Sequence, residues 1–160
     1  MTSVRHILGV FTLTLIAVLA CFTPASADAS SIDCLARNIY YEARGEGVDG
    51  MTAVGWVTMN RVASHDFPRT VCGVVKDKKH GVQFSWTAVR NHAPQGDAWR
   101  EARRIAQGLI SGSISRSGVW TNDDILYYHA ASVGGKTRRW FERHLERVTQ
   151  VGEHIFYADE

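Results

Sequence analysis

Glu42 is the residue in this chain best placed to do acid chemistry. It sits in Ser31–Gly47, SIDCLARNIYYEARGEG, behind Tyr40 and Tyr41 and ahead of Arg44 and Glu46. A carboxyl group that is half-shielded from water keeps its proton above the ordinary carboxylate range, which suits a general acid. The neighbouring tyrosines are expected to supply the shielding, and Arg44 and Glu46 to set its charge or orientation. A plain solvated Glu paired with an Arg is the alternative on spacing alone. Other chemistries are poorly supported. His129, His144 and His154, with Glu142 or Glu153, match no HExxH pattern, so no metal is expected. A serine nucleophile in a GxSxG turn does not occur. The three cysteines form no CxxC pair, which argues against a cysteine-built zinc site.

The element that must position Glu42 is a helix. Ile32, Leu35, Ala36, Ile39, Tyr40 and Ala43 recur at the spacing of one helical face. Glu42 then falls at the edge of that stripe, about 80° from its centre. Ser30 is the expected N-cap with Asp33 as its partner, and Gly45 and Gly47 the stop.

Residues 1–27 are read as a signal peptide. Arg5 and His6 precede an apolar run from Ile7 to Phe22, and Ala25-Ser26-Ala27 has the small-x-small form of a cleavage site. That run of about 16 residues falls short of the roughly 20 that span a bilayer. An uncleaved anchor, or lipid attachment at Cys21 after Val18-Leu19-Ala20, is the alternative. All three readings export the chain, to the periplasm or the cell exterior, with no stable membrane insertion once the leader is cleaved. Cys34 and Cys72 are the cysteines left after processing, and an oxidising compartment favours a disulfide between them over two buried thiols.

Residues 28–31 read as a short tether and 32–160 as one domain, long enough for a single core. Loss of Arg5 with the leader leaves 17 basic against 16 acidic residues, a balance that gives no reason to expect nucleic acid as a partner. Basic residues gather at Lys76–His80 and at Arg138, Arg139 and Arg143. Asp49 is the expected cap of a second helix, with Met51, Val54, Val57 and Arg61 on one face and Trp56 beside it. Thr70 caps a short helix through Val75. Val82–Trp86 reads as a strand or extended wall, and Asp97 caps an amphipathic helix that Gly112 stops. Ile125–Ala130 brings Tyr127, Tyr128 and His129 together, Arg138–Arg147 reads as helix, and Gly152 marks a bend between two short closing strands.

Six blocks in order, IYYEARGE, GMTAVGWVTMNRV, FPRTVCGVV, QFSW, YYHA and VGEHIFY, resemble the bacterial cell-wall hydrolase family that includes the spore cortex-lytic enzymes. The resemblance runs from Cys34 to Tyr157. It implies an α+β, mainly helical, lysozyme-like single domain with a small β wall lining a groove. It implies that Glu42, the first Glu of EARGE, is the catalytic acid, and that the substrate is the glycan strand of peptidoglycan, cut between N-acetylmuramic acid and N-acetylglucosamine. The best-known members act as lytic transglycosylases, in which one carboxyl group serves as acid and then as base. A hydrolytic muramidase of the same fold, or a peptidoglycan-binding protein without turnover, is the alternative.

Substrate contacts are assigned on this reading to Tyr41, Gln83, Trp86, Tyr128, His129, His154 and Tyr157. Trp86 would stack on a pyranose face and Gln83 would match hydroxyl or N-acetyl groups. For Trp86, His129 and His154 a core role is the alternative. No cofactor is implied, and a monomer is expected. The pattern departs from the family between His129 and Trp140, where Gly134-Gly135-Lys136 stands in place of a shorter connection with a proline. This leaves the position of Trp140 open.

Overall fold

A computed structural model describes residues 29–79, 84–88 and 92–159. The signal-peptide reading, Cys21 and Gln83 fall outside these residues. The fold is mainly helical, with one small antiparallel sheet. Its elements are α1 (Ala29–Ala43), α2 (Gly47–Ala63), α3 (Val71–Val75), a 3₁₀ turn at Ser85–Ala88, α4 (Gly96–Ser111), a second 3₁₀ turn at Gly118–Thr121, β1 (Ile125–Ala130), α5 (Gly135–His144), β2 (Glu146–Val151) and β3 (His154–Ala158). None of the described helices is long and apolar enough to cross a membrane.

α1 is the central helix and packs against α2, α3 and α4. Leu35, Ala36, Ile39, Tyr40 and Ala43 are buried, as the apolar stripe predicts. Close approach at the crossing depends on Gly55 of α2. A Cβ there would lie 2.4 Å from Leu109 Cδ1 of α4 and 3.1 Å from Ile39 Cδ1 of α1. One polar bridge crosses this core. Asn38, fully buried, donates from Nδ2 to Thr58 Oγ1 at 3.1 Å and accepts the Trp86 indole N–H at 3.0 Å. Its amide is thus paired on both sides, which removes the cost of burying it.

The sheet has strand order β1-β3-β2, all antiparallel. One face, carrying Phe156, packs with Ile125 and Ala158 against Ala53 and Val57 of α2. The last turns of α2 also take up carbonyls at the start of β1. Asn60 Nδ2 donates to Ile125 O at 3.0 Å and Arg61 Nε to Leu126 O at 2.7 Å. α2 therefore docks the sheet by both packing and hydrogen bonds, with α1 on its other side. A disulfide joins Cys34 of α1 to Cys72 of α3, closing a separation of 38 residues.

Local expectations hold where the governing contact is local. Thr70 accepts the Gly73 N–H at 3.1 Å and opens α3, and Gly112 ends α4 in the left-handed region at φ 76°. Gly152, at φ 54°, turns β2 into β3. Other boundaries need correction. α1 is already helical at Ala29, so Ser30 lies inside it, and Asp33 pairs with Arg37 one turn on at 2.7 Å. Asp49 and Asp97 do not cap. Each lies within the first helical turn, behind Glu46 and Gln95 at the N-cap positions, where a negative charge still suits the helix dipole. Of the stretch 82–86 read as extended, residues 84–86 are described, and they lead into a 3₁₀ turn at Ser85–Ala88, where Thr87 N–H and Oγ1 both bond to Phe84 O. The helix expected at 138–147 starts three residues earlier. Gly135 at φ 66° lets the chain enter it, and Glu146 and Arg147 belong to β2.

Candidate active site

Glu42 lies on the last turn of α1 and is half-buried. The group that covers it comes from the sheet. Tyr128 of β1 donates its hydroxyl to Glu42 Oε2 at 3.2 Å. Burial pushes the Glu42 pKa above the usual carboxylate value, while the Tyr128 hydrogen bond and the positive charge of Arg61 pull the other way. Tyr128 itself is held well above the ordinary phenol value by burial and by the Glu42 carboxylate, so it stays a neutral donor. Burial thus favours the protonated form of this acid, while a hydroxyl donor and a nearby cation favour its carboxylate.

Arg61 is the residue near Glu42 that sequence reasoning did not single out for the site. It is buried, with only 4 % of its surface exposed, and its guanidinium lies over the rings of Phe67, Phe84 and Tyr127 at 5.2, 5.3 and 5.9 Å. Nε is spent on Leu126 O, and Nη1 has no partner among the described residues. The signal was present: an arginine shares one face of α2 with Met51, Val54 and Val57. A cation at an apolar helical position needs a reason, and stacked aromatic faces supply part of it.

The tyrosines that precede Glu42 in the chain do not shield it. Tyr40 points into the core, edge-on to Trp99. Tyr41 stacks on Trp86, ring centroids 4.7 Å apart, and donates its hydroxyl to His92 O. Trp86 and Tyr41 together wall a cleft of about 320 Å³, bordered also by Arg44, His92 and Gln95. Trp86 is half-buried and packs against the core. Its N–H is anchored to Asn38 and its ring borders the cleft. Arg44 does not reach Glu42 for an ion pair, and its guanidinium lies over the Tyr40 ring at 5.2 Å.

Strand alternation separates the remaining candidates. His154 packs edge-on to Tyr128, centroids 5.1 Å apart, on the sheet face toward Glu42. It is buried, and its Nδ1 has no partner among the described residues. Burial lowers its pKa, with the Glu46 and Glu153 charges opposing, so the neutral imidazole is favoured. His129 and Tyr157 are on the other face. His129 Nδ1 faces Ala130 O at 2.8 Å. That carbonyl can only accept, so Nε2 accepts the Tyr157 hydroxyl at 3.0 Å. Both rings pack on Phe141 of α5. They form a satisfied pair beneath α5 and are not brought to Glu42.

Trp140 is on the exposed side of α5, 48 % accessible and stacked on His144. His144 is therefore distant in role from His129 and His154. Among the described residues no group of three His, Cys, Asp or Glu side chains is placed to hold a metal ion.

The chain as a whole is similar to known proteins. The model of the cell wall hydrolase family matches residues 45–157, beginning just after Glu42. The spore cortex-lytic enzyme of Oceanobacillus iheyensis is 30% identical over 133 residues, which cover 83% of this chain and 43% of that protein. That of Bacillus subtilis is 28% identical, with 83% and 39% covered. The chain thus spans less than half the length of these curated relatives. It does span nearly all of two solved structures. The catalytic domain of the germination-specific lytic transglycosylase SleB from Bacillus anthracis superposes with a TM-score of 0.60 at 26% identity, over 84% of this chain and 98% of that one. The catalytic domain of Bacillus cereus SleB gives 0.61 at 26%, over 84% and 94%. With the family model spanning most of the fold from the end of α1 to β3, this chain belongs to the cell wall hydrolase family.

Proposed function

We propose that the protein is a lytic transglycosylase that cleaves peptidoglycan between N-acetylmuramic acid and N-acetylglucosamine, with Glu42 as its single acid and base. The observation that carries this is the half-buried Glu42 carboxyl, raised in pKa and hydrogen-bonded by Tyr128, on the helix whose Tyr41 walls an aromatic cleft. Glu42 gives its proton to the glycosidic oxygen. The bond from C1 to that oxygen breaks with its electron pair going to oxygen, and C1 takes on oxocarbenium character. The Glu42 carboxylate then removes the proton of the muramoyl 6-hydroxyl, whose oxygen closes on C1. The product is a 1,6-anhydro end, the acid is regenerated and no water is consumed. Tyr128 and Arg61 stabilise the carboxylate that exists between the two steps.

A hydrolase would instead need a second carboxylate about 5–9 Å away as nucleophile or water-activating base. Glu46, the acid nearest in the chain, already has Oε2 bonded to the Glu153 N–H at 2.7 Å. Asp49 is exposed on the first turn of α2.

The sugar-contacting set on this reading is Tyr41, Trp86, Tyr128 and His154. His129 and Tyr157 support the sheet from behind. Residues 1–27 are proposed as a cleaved leader that exports the domain to the compartment where peptidoglycan lies. The Cys34–Cys72 disulfide fits that destination, because such bonds persist in oxidising surroundings. The test is incubation of residues 28–160 with purified peptidoglycan and detection of soluble muropeptides.

Tyr128→Phe gives a sharper check of the acid. The hydroxyl stabilises the charged carboxylate, so its loss raises the Glu42 pKa further and keeps the acid protonated to higher pH. The basic limb of the pH–rate profile is expected to move upward. The maximal rate should fall on the order of tenfold, the effect of one hydrogen bond to a charged group. A limb that stays in place would mean that Glu42 does not set it.

A further inference from the structure

We propose that Glu46 is a positioning residue, a clasp that holds the β2–β3 turn against the α1–α2 corner and so keeps His154 and Tyr128 in place against Glu42. The inference rests on the reading of Glu42 as the acid and assigns a role to the second Glu of the EARGE stretch. Glu46 occupies the N-cap position of α2 but makes no capping bond with its side chain. Its carboxylate reaches across the molecule, and Oε2 accepts the N–H of Glu153, 107 residues away, at 2.7 Å.

Two glycines frame the side chain. A Cβ at Gly50 would lie 2.4 Å from Glu46 Cβ, and a Cβ at Gly152 would lie 2.2 Å from Glu46 Oε2. Gly152 also holds φ 54°, a conformation that other residues rarely adopt. The Glu153 peptide is gripped from both sides. Its N–H goes to Glu46 and its carbonyl accepts the Ala131 N–H just beyond β1, at 2.6 Å. The next residue is His154, edge-on to Tyr128, whose hydroxyl meets Glu42 Oε2 at 3.2 Å. A chain of fixed contacts therefore links the Glu46 carboxylate to the acid through the hairpin, without Glu46 itself reacting.

A clasp and a second catalytic carboxylate respond differently to an amide. Gln can still accept the Glu153 N–H but can neither act as a base nor attack an anomeric carbon. Four variants, Glu46→Gln, Glu46→Ala, Gly152→Ala and the Glu46→Ala/Gly152→Ala double, are assayed for kcat and KM on purified peptidoglycan sacculi. Hydrogen exchange at the Glu153 amide is followed by NMR in each.

Glu46→Gln should stay within about threefold of wild type, whereas Glu46→Ala should lose roughly 10- to 100-fold, mostly in kcat, the scale of a displacement near 1 Å at a reacting centre. Gly152→Ala should fall in the same direction, and the double variant no lower than the worse single, because both break one contact. The Glu153 amide should be protected in wild type and Glu46→Gln and exposed in Glu46→Ala.

Glu46→Gln as inactive as Glu46→Ala with the amide still protected would overturn the clasp and make Glu46 a reacting carboxylate. Wild-type behaviour of Glu46→Ala, or of Gly152→Ala, would also overturn it. If Glu46→Ala does not fold, Glu46→Gln and Gly152→Ala still decide. If wild type shows no turnover, the proposed reaction fails and the amide exchange alone settles the clasp, for it if protection follows the hydrogen bond and against it if protection is unchanged.

Discussion

Glu42→Gln is expected to lose turnover on peptidoglycan by a factor on the order of 10²–10⁴ while still folding and still binding glycan. The amide keeps the size of the carboxyl group and can still accept the Tyr128 hydroxyl, so the contact between α1 and β1 is kept. What it lacks is a proton to give to the leaving oxygen. The same substitution has a signature in stability. The folded pKa of Glu42 is raised above the unfolded value by burial. Stability from the protonated carboxyl is therefore fully present below the unfolded pKa and is lost as pH rises through the folded pKa. Gln does not titrate, so Glu42→Gln should be at least as stable as wild type at neutral pH, with the difference closing in acid. Thermal melts across that range check it. Wild-type turnover in this variant would remove Glu42 from the mechanism.

The second large effect is structural. Replacing Cys34 and Cys72 together by alanine should lower stability by about 3–4 kcal/mol, the chain-entropy value for closing a loop of this length. For a domain of this size that is a drop in melting temperature on the order of 10–20 °C. The physical reason is the weakness of what the bond secures. α3 is five residues long, too short to persist as an isolated helix, and otherwise relies on the burial of Val71, Val74 and Val75. The bond ties it directly to α1, the helix that carries Glu42. Melting with and without reductant, beside the double alanine variant, measures this. An unchanged midpoint would mean that the three valines alone hold α3 in place.

What could be read from the chain before folding was whatever local chemistry determines. The stripe from Ile32 to Ala43 specifies α1 and sets Glu42 at its edge, because helical geometry converts spacing into direction. Thr70 acts through its own side chain and Gly112 and Gly152 through their own backbone, and each does what its residue type predicts. The cysteine pair followed from the reading of residues 1–27 as a leader and from the even number of cysteines left.

The cover of Glu42 was not legible in the same way. It comes from Tyr128, 86 residues away, and not from the adjacent tyrosines, which the helix turns toward the core and toward Trp86. Tyr128 and His129 are neighbours on a strand and must face opposite ways, so only one can meet the acid. Which one does depends on the pairing register with β3 and on the irregularity between Ile125 and Tyr127, neither of which residue types reveal. Glu46 shows the same limit. Its partner is a backbone N–H across the fold, and nothing local marks it.

The mass of the product ends tests the central claim most directly. If one carboxyl group serves in turn as acid and base, the muropeptides released by residues 28–160 from purified peptidoglycan carry 1,6-anhydro ends, lighter by one water than reducing ends. Glu42→Gln then releases neither. Products with only reducing ends would contradict the single-carboxyl mechanism. They would mean that water is the nucleophile and that a second carboxylate acts beside Glu42.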